Sequence, residues 1–260
     1  MKTLVIGDSC LDIFKYGTSK RFSPEAPVPV FTPEKEITNP GMAANVANNI
    51  SSFGVDCDLV TNKNEISKIR FVDLKSKQMI IRVDENDTLP LDDNFDNIQE
   101  FELDKYDGLV ISDYNKGFLT TENISFLLNA KIPTFLQTNK KLDDWCLNSN
   151  FIKINESEYN NSKEFIEANK KNLETKLIVT VGENGCMFNN ENYKIKNKKD
   201  IRDLSGAGDT FLAGFVYKYI STKNEILSIE FAQEMASAVV ELPGVNVAGK
   251  SKKNFTTLTL

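Results

Sequence analysis

Short apolar runs alternate with amphipathic segments along most of the chain. Buried strands are predicted from apolar runs at 4–8, 57–60, 109–113, 133–136, 151–154 and 177–180. Helices are predicted from helical spacing of apolar residues at 43–53, 121–130, 156–170, 207–221 and 225–241. Strands that alternate with helices indicate an α/β fold, with a mostly parallel sheet flanked by helices on both faces.

Two segments do not fit this alternation. Residues 28–31 and 78–83 alternate or run apolar without an intervening helical pattern, which is typical of strands. We expect them to belong to a small separate β-sheet that covers the main domain as a lid, with lid strands at about 13–33 and 70–86. The sequence then predicts a single domain over 1–260 with this lid inserted in it.

Composition narrows the function classes. The formal net charge of -6 argues against a nucleic-acid partner. No apolar stretch reaches membrane-spanning length, and the N-terminus lacks the pattern of a signal peptide. The four cysteines are far apart and show no C-x-x-C spacing, which favours a reducing compartment over a metal site. We therefore expect a cytoplasmic protein with neither a membrane nor a nucleic-acid partner.

The chain contains no histidine. This excludes imidazole acid–base chemistry and histidine metal ligands. Catalysis would have to rest on carboxylates, lysines, backbone dipoles and a bound cation.

The segment 203–211 carries the strongest chemical signal. Gly206, Ala207 and Gly208 immediately precede an apolar run at helical spacing, so they lie where a loop becomes a helix. Bare N–H groups and the helix dipole make such a position an anion site. Asp209 would repel a passively bound phosphate, but it suits a base that takes a proton from an attacking hydroxyl. The alternative is an ordinary helix start with a first-turn carboxylate, and this segment alone does not separate the two.

Other polar residues follow predicted strands. Ligands of open α/β sheets bind beyond the carboxyl ends of the strands. Each residue also has a structural alternative, as a cap, a capping box at 155–158 or a turn glycine. Their common position at one sheet edge favours a ligand site. The residues are Asp8, Asp12, Asp113, Asn155, Glu158, Thr180, Gly182 and Gly185.

These motifs together resemble the PfkB, or ribokinase-like, family of carbohydrate kinases. Residues 203–210 resemble the C-terminal signature of that family, 180–185 its T-x-G-x-x-G nucleotide loop and 155–158 its N-x-x-E motif. Residues 7–12, 21–30, 40–47 and 112–117 are most similar to the heptose-7-phosphate kinase subgroup. The resemblance covers nearly the whole chain.

The resemblance implies a three-layer ribokinase-like fold and transfer of the ATP γ-phosphoryl group to a sugar hydroxyl. For the subgroup, that hydroxyl is the anomeric one of a heptose 7-phosphate. ATP and Mg²⁺ are the implied cofactors, and a monovalent cation is left open. Because lid strands leave open edges, we also expect a homodimer through the lid.

Site roles are carried over from the resemblance residue by residue. Asp209 would be the catalytic base, and Gly206, Ala207 and Gly208 the anion hole. The nucleotide would be bound by Asn155, Glu158, Thr180, Gly182 and Gly185, with Glu158 acting on Mg²⁺ through water. The sugar substrate would be bound by Asp12, Glu25, Gly41, Asn45, Arg82, Asp113 and Lys140.

Three departures leave the sugar open. Met42 occupies the second position of what is usually a Gly-Gly pair. Residues 136–140 keep only Lys140 of a usual Asp-Pro-Lys. The chain also lacks roughly one helix and a strand between Val60 and Arg70, judged against ordinary element lengths. A kinase for a different sugar, or a catalytically weak binding protein of kinase-like fold, are the alternatives.

Overall fold

A computed structural model describes residues 1–89, 101–197, 199–242, 244–250 and 254–258. The strands are β1 (Lys2–Gly7), β2 (Ser9–Phe22), β3 (Pro29–Met42), β4 (Asp56–Val60), β5 (Ser67–Asp73), β6 (Met79–Glu85), β7 (Gly108–Asp113), β8 (Thr134–Thr138), β9 (Phe151–Asn155), β10 (Leu177–Thr180), β11 (Cys186–Phe188), β12 (Glu191–Tyr193) and β13 (Thr256–Leu258). The helices are α1 (Ala43–Ser52), α2 (Thr121–Leu127), α3 (Glu156–Asn161), α4 (Lys163–Ala168), α5 (Lys170–Leu173), α6 (Ala207–Thr222) and α7 (Glu225–Val239).

The main sheet has nine strands in the order β12-β11-β10-β9-β8-β7-β1-β4-β13. All neighbouring pairs from β10 to β13 in that order are parallel, whereas the pairs β10–β11 and β11–β12 are antiparallel. The carboxyl ends of the parallel strands therefore meet at one edge of the sheet, as the sequence predicts.

The two faces of this sheet build two separate cores because side chains alternate along each strand. On one face, Phe135 and Phe151 pack against Phe215 and Tyr219 of α6, with ring centroids 4.6–6.1 Å apart. On the other face, residues such as Ile111 pack against α2, α4 and α5. The fold is thus three-layered, with α1, α6 and α7 on the face that includes Phe135.

The lid is a four-stranded sheet in the order β3-β2-β5-β6. The predicted strand segment 28–31 lies largely within β3, and the segment 78–83 lies largely within β6. The predicted lid ranges 13–33 and 70–86 overlap β2 and the end of β5, but the apolar pattern did not separate these strands from β3 and β6 because polar residues interrupt it. Residues 61–66 alone join β4 of the main sheet to β5 of the lid, so the lid attaches without an intervening helix.

One predicted helix is divided in the structure. The pattern at 156–170 predicts a single helix, but α3, α4 and α5 occupy that region. Ser162 separates α3 from α4, and its hydroxyl accepts a hydrogen bond from the Leu142 amide at 3.0 Å. Strands β11, β12 and β13 were not predicted, since three residues are too few to show a periodicity.

Two further observations bear on the expectations from composition. All four cysteines are buried and unpaired. Over the described ranges, no helix has the length and apolar character that a membrane crossing requires.

Candidate active site

The N-terminus of α6 presents free amides. Gly206 precedes the helix with a left-handed φ of 78°, which glycine adopts readily. The Ala207 amide donates to the Leu204 carbonyl at 3.2 Å, and that of Thr210 donates to the Gly206 carbonyl at 2.9 Å. Within the described ranges, the amides of Gly208 and Asp209 have no acceptor. These two N–H groups are available to an anionic ligand.

Asp209 lies in the first turn of α6 and is buried. Its carboxylate accepts hydrogen bonds from Asn45 Nδ2 at 3.0 Å, from Gln137 Nε2 at 3.4 Å and from the Tyr114 hydroxyl. Burial raises the pKa of the Asp209 carboxyl above its usual value, although these donors oppose the shift. The carboxylate is held in place by three neutral donors, as a positioned base would be.

Tyr114 completes this arrangement. Burial and the neighbouring Asp209 carboxylate raise the pKa of the Tyr114 phenol well above its usual value. The phenol therefore stays protonated and donates to Asp209. It lies on the side of Asp209 where Met42, Cys10 and Ile66 pack beneath the lid.

Gln137 links Asp209 to a buried lysine. Its Oε1 accepts a hydrogen bond from Lys153 Nζ at 3.0 Å, while its Nε2 donates to Asp209. Gln137 and Lys153 stand at the carboxyl ends of β8 and β9, one side-chain repeat beyond Phe135 and Phe151. The face that is apolar against α6 therefore becomes polar opposite the first turn of that helix.

Asp8 organises the loop after β7. Its carboxylate accepts the amides of Tyr114 at 2.7 Å, Phe118 at 3.2 Å and Lys116 at 3.4 Å. Burial, reinforced by the nearby Asp113, raises the pKa of the Asp8 carboxyl. Asp8 fixes the backbone that carries Tyr114, so its part is to position that side chain.

Asp113 and Lys140 contact each other. Lys140 Nζ lies 2.7 Å from Asp113 Oδ1, and the Thr138 hydroxyl donates to Asp113 Oδ2 at 2.5 Å. The Asp113 carboxylate is fully buried and so requires this neutralisation. The pair fastens the ends of β7 and β8 together beside the site.

The capping box at 155–158 is present. Asn155 Oδ1 accepts the Glu158 amide at 2.9 Å, and Glu158 Oε2 accepts the Asn155 amide at 2.7 Å. Asn155 is exposed at the carboxyl end of β9, two positions beyond the buried Lys153, and Glu158 is half-buried in the first turn of α3. The motif thus starts α3, and its side chains also remain accessible to a ligand at this edge.

An apolar cavity adjoins the N-terminus of α6. Gly185 has a φ of 93°, and a Cβ there would lie 2.0 Å from the Tyr193 carbonyl oxygen, so only glycine fits this turn. A second group of residues continues the cavity toward Gly208, including Thr180 and Phe211. The outer part of the cavity is lined by Gly182, Glu183, Ile195, Lys199, Ile201, Leu204, Ala207, Ala236, Ser237 and Val240.

The lid brings a buried ion pair to the other side of the site. Arg70 of β5 pairs with Asp12 of β2, and both side chains are largely buried. A Cβ at Gly41 would lie 2.3 Å from Asp12 Oδ2, so the absence of a side chain at Gly41 leaves room for this carboxylate.

Two predicted lid residues lie apart from the buried centre. Arg82 is 43% exposed and pairs with Asp84 at 2.6 Å. Glu25 is exposed in the turn between β2 and β3. The structure therefore groups Asp209, Asn45 and the amides of α6 closely, and it leaves Glu25 and Arg82 outside that group.

Met42 adopts an uncommon backbone conformation. Its φ is 58° and its ψ is -130°, a combination that glycine adopts far more easily than methionine. Its side chain is buried against Cys10 and Ile66 rather than directed to solvent. The departure from the usual Gly-Gly pair is thus accommodated with backbone strain next to the start of α1.

Sequence reasoning missed four residues at the site: Arg70, Tyr114, Gln137 and Lys153. The signal for two of them was a polar residue inside an otherwise apolar strand, in Phe-Leu-Gln-Thr and Phe-Ile-Lys-Ile. A buried strand that contains a lysine or glutamine near its carboxyl end points to a polar contact across the sheet face.

Free helix amides beside a buried carboxylate, with an apolar cavity on one side and a lid sheet on the other, define an α/β enzyme site for an anionic ligand. The family model for pfkB family carbohydrate kinases matches residues 39–252. The chain belongs to this family.

Individual relatives agree. The bifunctional protein HldE of Helicobacter acinonychis is 32% identical over 297 aligned residues, which cover 95% of this chain and 64% of that protein. The chain therefore spans about two thirds of the length of this relative. Ribokinase from Thermotoga maritima superposes with a TM-score of 0.70 at 18% identity, covering 94% of each chain. Arabidopsis thaliana ribokinase complexed with ribose and ATP gives 0.67 at 14% identity, covering 94% and 93%. The structural neighbours show a ribokinase-like fold.

Proposed function

We propose that this protein transfers the γ-phosphoryl group of ATP to the anomeric hydroxyl of a heptose 7-phosphate. The observation that carries the proposal is the buried Asp209, held by three neutral donors beside the free amides of α6. A base and an anion site in adjacent positions are what transfer of a phosphoryl group to a hydroxyl requires.

The residues present fit ATP. The apolar cavity beside Gly182 suits a base ring, and it continues to the free amides of Gly208 and Asp209, which suit phosphate oxygens. Thr180 and Gly185 line the passage between the two. The neighbouring ribokinase that was solved with ribose and ATP supports this assignment.

The residues also fit Mg²⁺ that arrives with the nucleotide. Over the described ranges, no group of three or more acidic, cysteine or histidine residues could hold a metal by itself. Mg²⁺ keeps several waters and is commonly bound by one or two carboxylates together with substrate phosphates. Glu158 would contact it through water, and the bound ion would neutralise charge on the phosphates.

Asp209 would accept the proton of the sugar hydroxyl. Its raised pKa makes it a stronger base than an exposed aspartate, and it remains weak in absolute terms. Phosphoryl transfer tolerates a weak base, because bond making to the nucleophile lags in its loose transition state. The amides of α6 would stabilise charge on the transferred group, and Asn45, Gln137 and Tyr114 would keep the carboxylate in line.

The heptose assignment rests on sequence. Residues 7–12, 21–30, 40–47 and 112–117 resemble heptose-7-phosphate kinases, and the chain is similar to a relative named HldE. The structure adds that Tyr114, within one of these stretches, contacts Asp209 directly. Sugar binding is assigned to Asp12, Gly41 and Asn45, with Asp113 and Lys140 shaping the adjacent edge.

The test is ATP consumption with Mg²⁺ against a panel of sugars. The panel contains heptose 7-phosphate, sedoheptulose 7-phosphate, fructose 6-phosphate, ribose and fructose. We expect turnover on heptose 7-phosphate above all others. Preference for another sugar would contradict the substrate and keep the reaction, whereas ATP binding without turnover on any sugar would favour a non-catalytic role.

We further propose a cytoplasmic homodimer that forms through the lid. Strand β6 is one of the two edge strands of the lid, and its side chains Met79, Ile80, Ile81 and Val83 are exposed. An exposed apolar edge strand tends to be covered by another chain. Light scattering at micromolar concentration should give twice the chain mass, and replacement of Ile81 by Glu should give the monomer.

A further inference from the structure

Lys153 is a buried cation that forms no direct ion pair among the described residues, although the Glu158 and Asp209 carboxylates act on it from a greater distance. Its side chain is 93% buried within a strand whose neighbouring core residues are apolar, and its Nζ contacts Gln137 Oε1 at 3.0 Å. In the described part of the chain, no carboxylate oxygen lies within 4.0 Å of Nζ. A lysine in such a position is costly, because burial without a partner disfavours the ammonium. Burial accordingly lowers the pKa of Lys153.

Lys153 Nζ lies directly beside the first turn of α6. A Cβ placed on Gly208 would lie 3.0 Å from Lys153 Nζ. Apart from the helix backbone and chain neighbours of Gly208, no other described atom lies within 4 Å of that position. The ammonium is therefore next to Gly208, whose amide is free like that of Asp209.

Gln137 fixes the ammonium in this direction. It accepts from Lys153 through Oε1 and donates to Asp209 through Nε2 at 3.4 Å, so one amide group orients both charged residues. An ammonium has three donors, and Gln137 uses one of them. The other two N–H donors of the Lys153 ammonium are suited to an anion bound at the N-terminus of α6.

The geometry points to Lys153 as a direct ligand of the transferred phosphoryl group, which it would bind together with the amides of Gly208 and Asp209. This inference rests on the proposed kinase function and deepens it by adding a side-chain cation to the anion site. The phosphoryl group would form the direct ionic contact that Lys153 lacks among the described residues. Because the N-terminus of α6 carries Asp209 next to these amides, the contact of Lys153 is to the terminal phosphate of ATP, which ADP lacks.

The experiment compares ATP and ADP binding by calorimetry, each with Mg²⁺, in the wild type and in Lys153→Met. We expect ATP affinity to fall about ten- to hundredfold, the range for a hydrogen bond to a charged group, while ADP affinity stays within about twofold. The matched control is Lys176→Met. Lys176 directly precedes β10, at the end away from Thr180, and its Nζ contacts only the Leu147 carbonyl at 2.9 Å among the described residues. This control should bind both nucleotides as the wild type does.

Unchanged ATP affinity in Lys153→Met, or an equal loss of ATP and ADP affinity, would overturn the inference. Absence of ATP binding in the wild type would overturn it as well. Thermal melting checks the fold, and we expect Lys153→Met to melt no lower than the wild type, because it removes an unpaired buried charge. Lys153→Gln provides the same comparison if the methionine variant does not fold.

The outcome is separable from that of the sugar panel. Suppose that the wild type phosphorylates no sugar but prefers ATP over ADP, and that Lys153→Met lacks this preference. The proposed function then fails and the phosphate contact stands. If the wild type is an active kinase and Lys153→Met retains ATP affinity, the phosphate contact alone fails.

Discussion

At the N-terminus of α6, Asp209 and Lys153 are both buried and form hydrogen bonds only with neutral partners among the described residues. In the lid, the buried Asp12 forms an ion pair with Arg70. Both regions belong to the candidate site, but of these two regions only the lid holds its buried charges in a direct ion pair.

The difference indicates what each region is built to do. Removing one partner of a buried ion pair is strongly destabilising, so the Asp12–Arg70 pair must be regarded as part of the lid structure. Unpaired buried charges lower stability and persist where a ligand uses them. The buried charges at α6 are thus suited to bind phosphate and accept a proton, whereas the ion pair in the lid stabilises the lid itself.

The largest stability effect should come from the lid pair. Arg70→Met leaves the Asp12 carboxylate buried and unpaired, and we expect a loss of about 3 kcal/mol in the free energy of unfolding, measured in urea. Arg82→Met is the matched control, since Arg82 lies directly opposite Arg70 on β6 but its ion pair is exposed. The control should change stability by less than about 1 kcal/mol. Equal losses would remove the distinction between the two pairs.

The core charges should appear in the pH dependence of activity. Asp209 must be ionised to act as a base, and its pKa is raised by burial. Activity should therefore fall on acidification at a pH above the usual aspartate value of about 3.9. The measurement is kcat/KM across acidic to neutral pH, with stability followed in parallel to exclude unfolding. An acid limb at or below the ordinary value would contradict the buried-base account.

Stability should have the opposite dependence on this group. A carboxyl whose folded pKa is raised lowers stability when ionised, and that penalty is complete above the folded pKa. It disappears as the pH falls toward the unfolded value of about 3.9. Asp209→Asn should therefore gain stability relative to the wild type at neutral pH and lose that advantage in acid, as measured by thermal melting.

The smallest effect should come from the contact that joins lid and core. Asp87 accepts Lys68 of the lid and Lys116 of the core at 2.5 Å each. Asp87 and Lys116 are partly exposed, and the buried Lys68 has a second partner in Asp84 at 3.4 Å. Asp87→Ala should loosen this contact and change the KM for the sugar by no more than about fivefold, because such pairs contribute up to about 1 kcal/mol. The kcat at saturation should be unaltered. A large loss of kcat would place Asp87 in the chemistry instead.

Sequence predicted the strands of the main sheet and the start of α6 well because both depend on local patterns. Alternation of apolar runs and helical spacing located β1, β7, β9 and α6, and the spacing at 155–158 predicted a capping box that the structure contains. Each of these features depends on a few residues that are close together in the sequence.

The rest depends on long-range contacts. Asp209 meets Asn45 across 164 positions and Gln137 across 72, and no local pattern carries such pairings. Lys153 within a single strand looks like an isolated polar interruption until α6 is placed opposite it. Arg70 escaped notice for a similar reason, since its partner Asp12 comes from a different lid strand.

The central claim is that Asp209 is the base of a sugar kinase, and Asp209→Asn tests it most directly. Turnover of ATP with heptose 7-phosphate is measured in the wild type and the variant, with ATP binding measured on the same preparations. We predict that the variant binds ATP and keeps its fold while kcat falls by at least ~10²-fold, the low end for loss of a general base. Near-normal turnover in the variant would remove Asp209 from the mechanism.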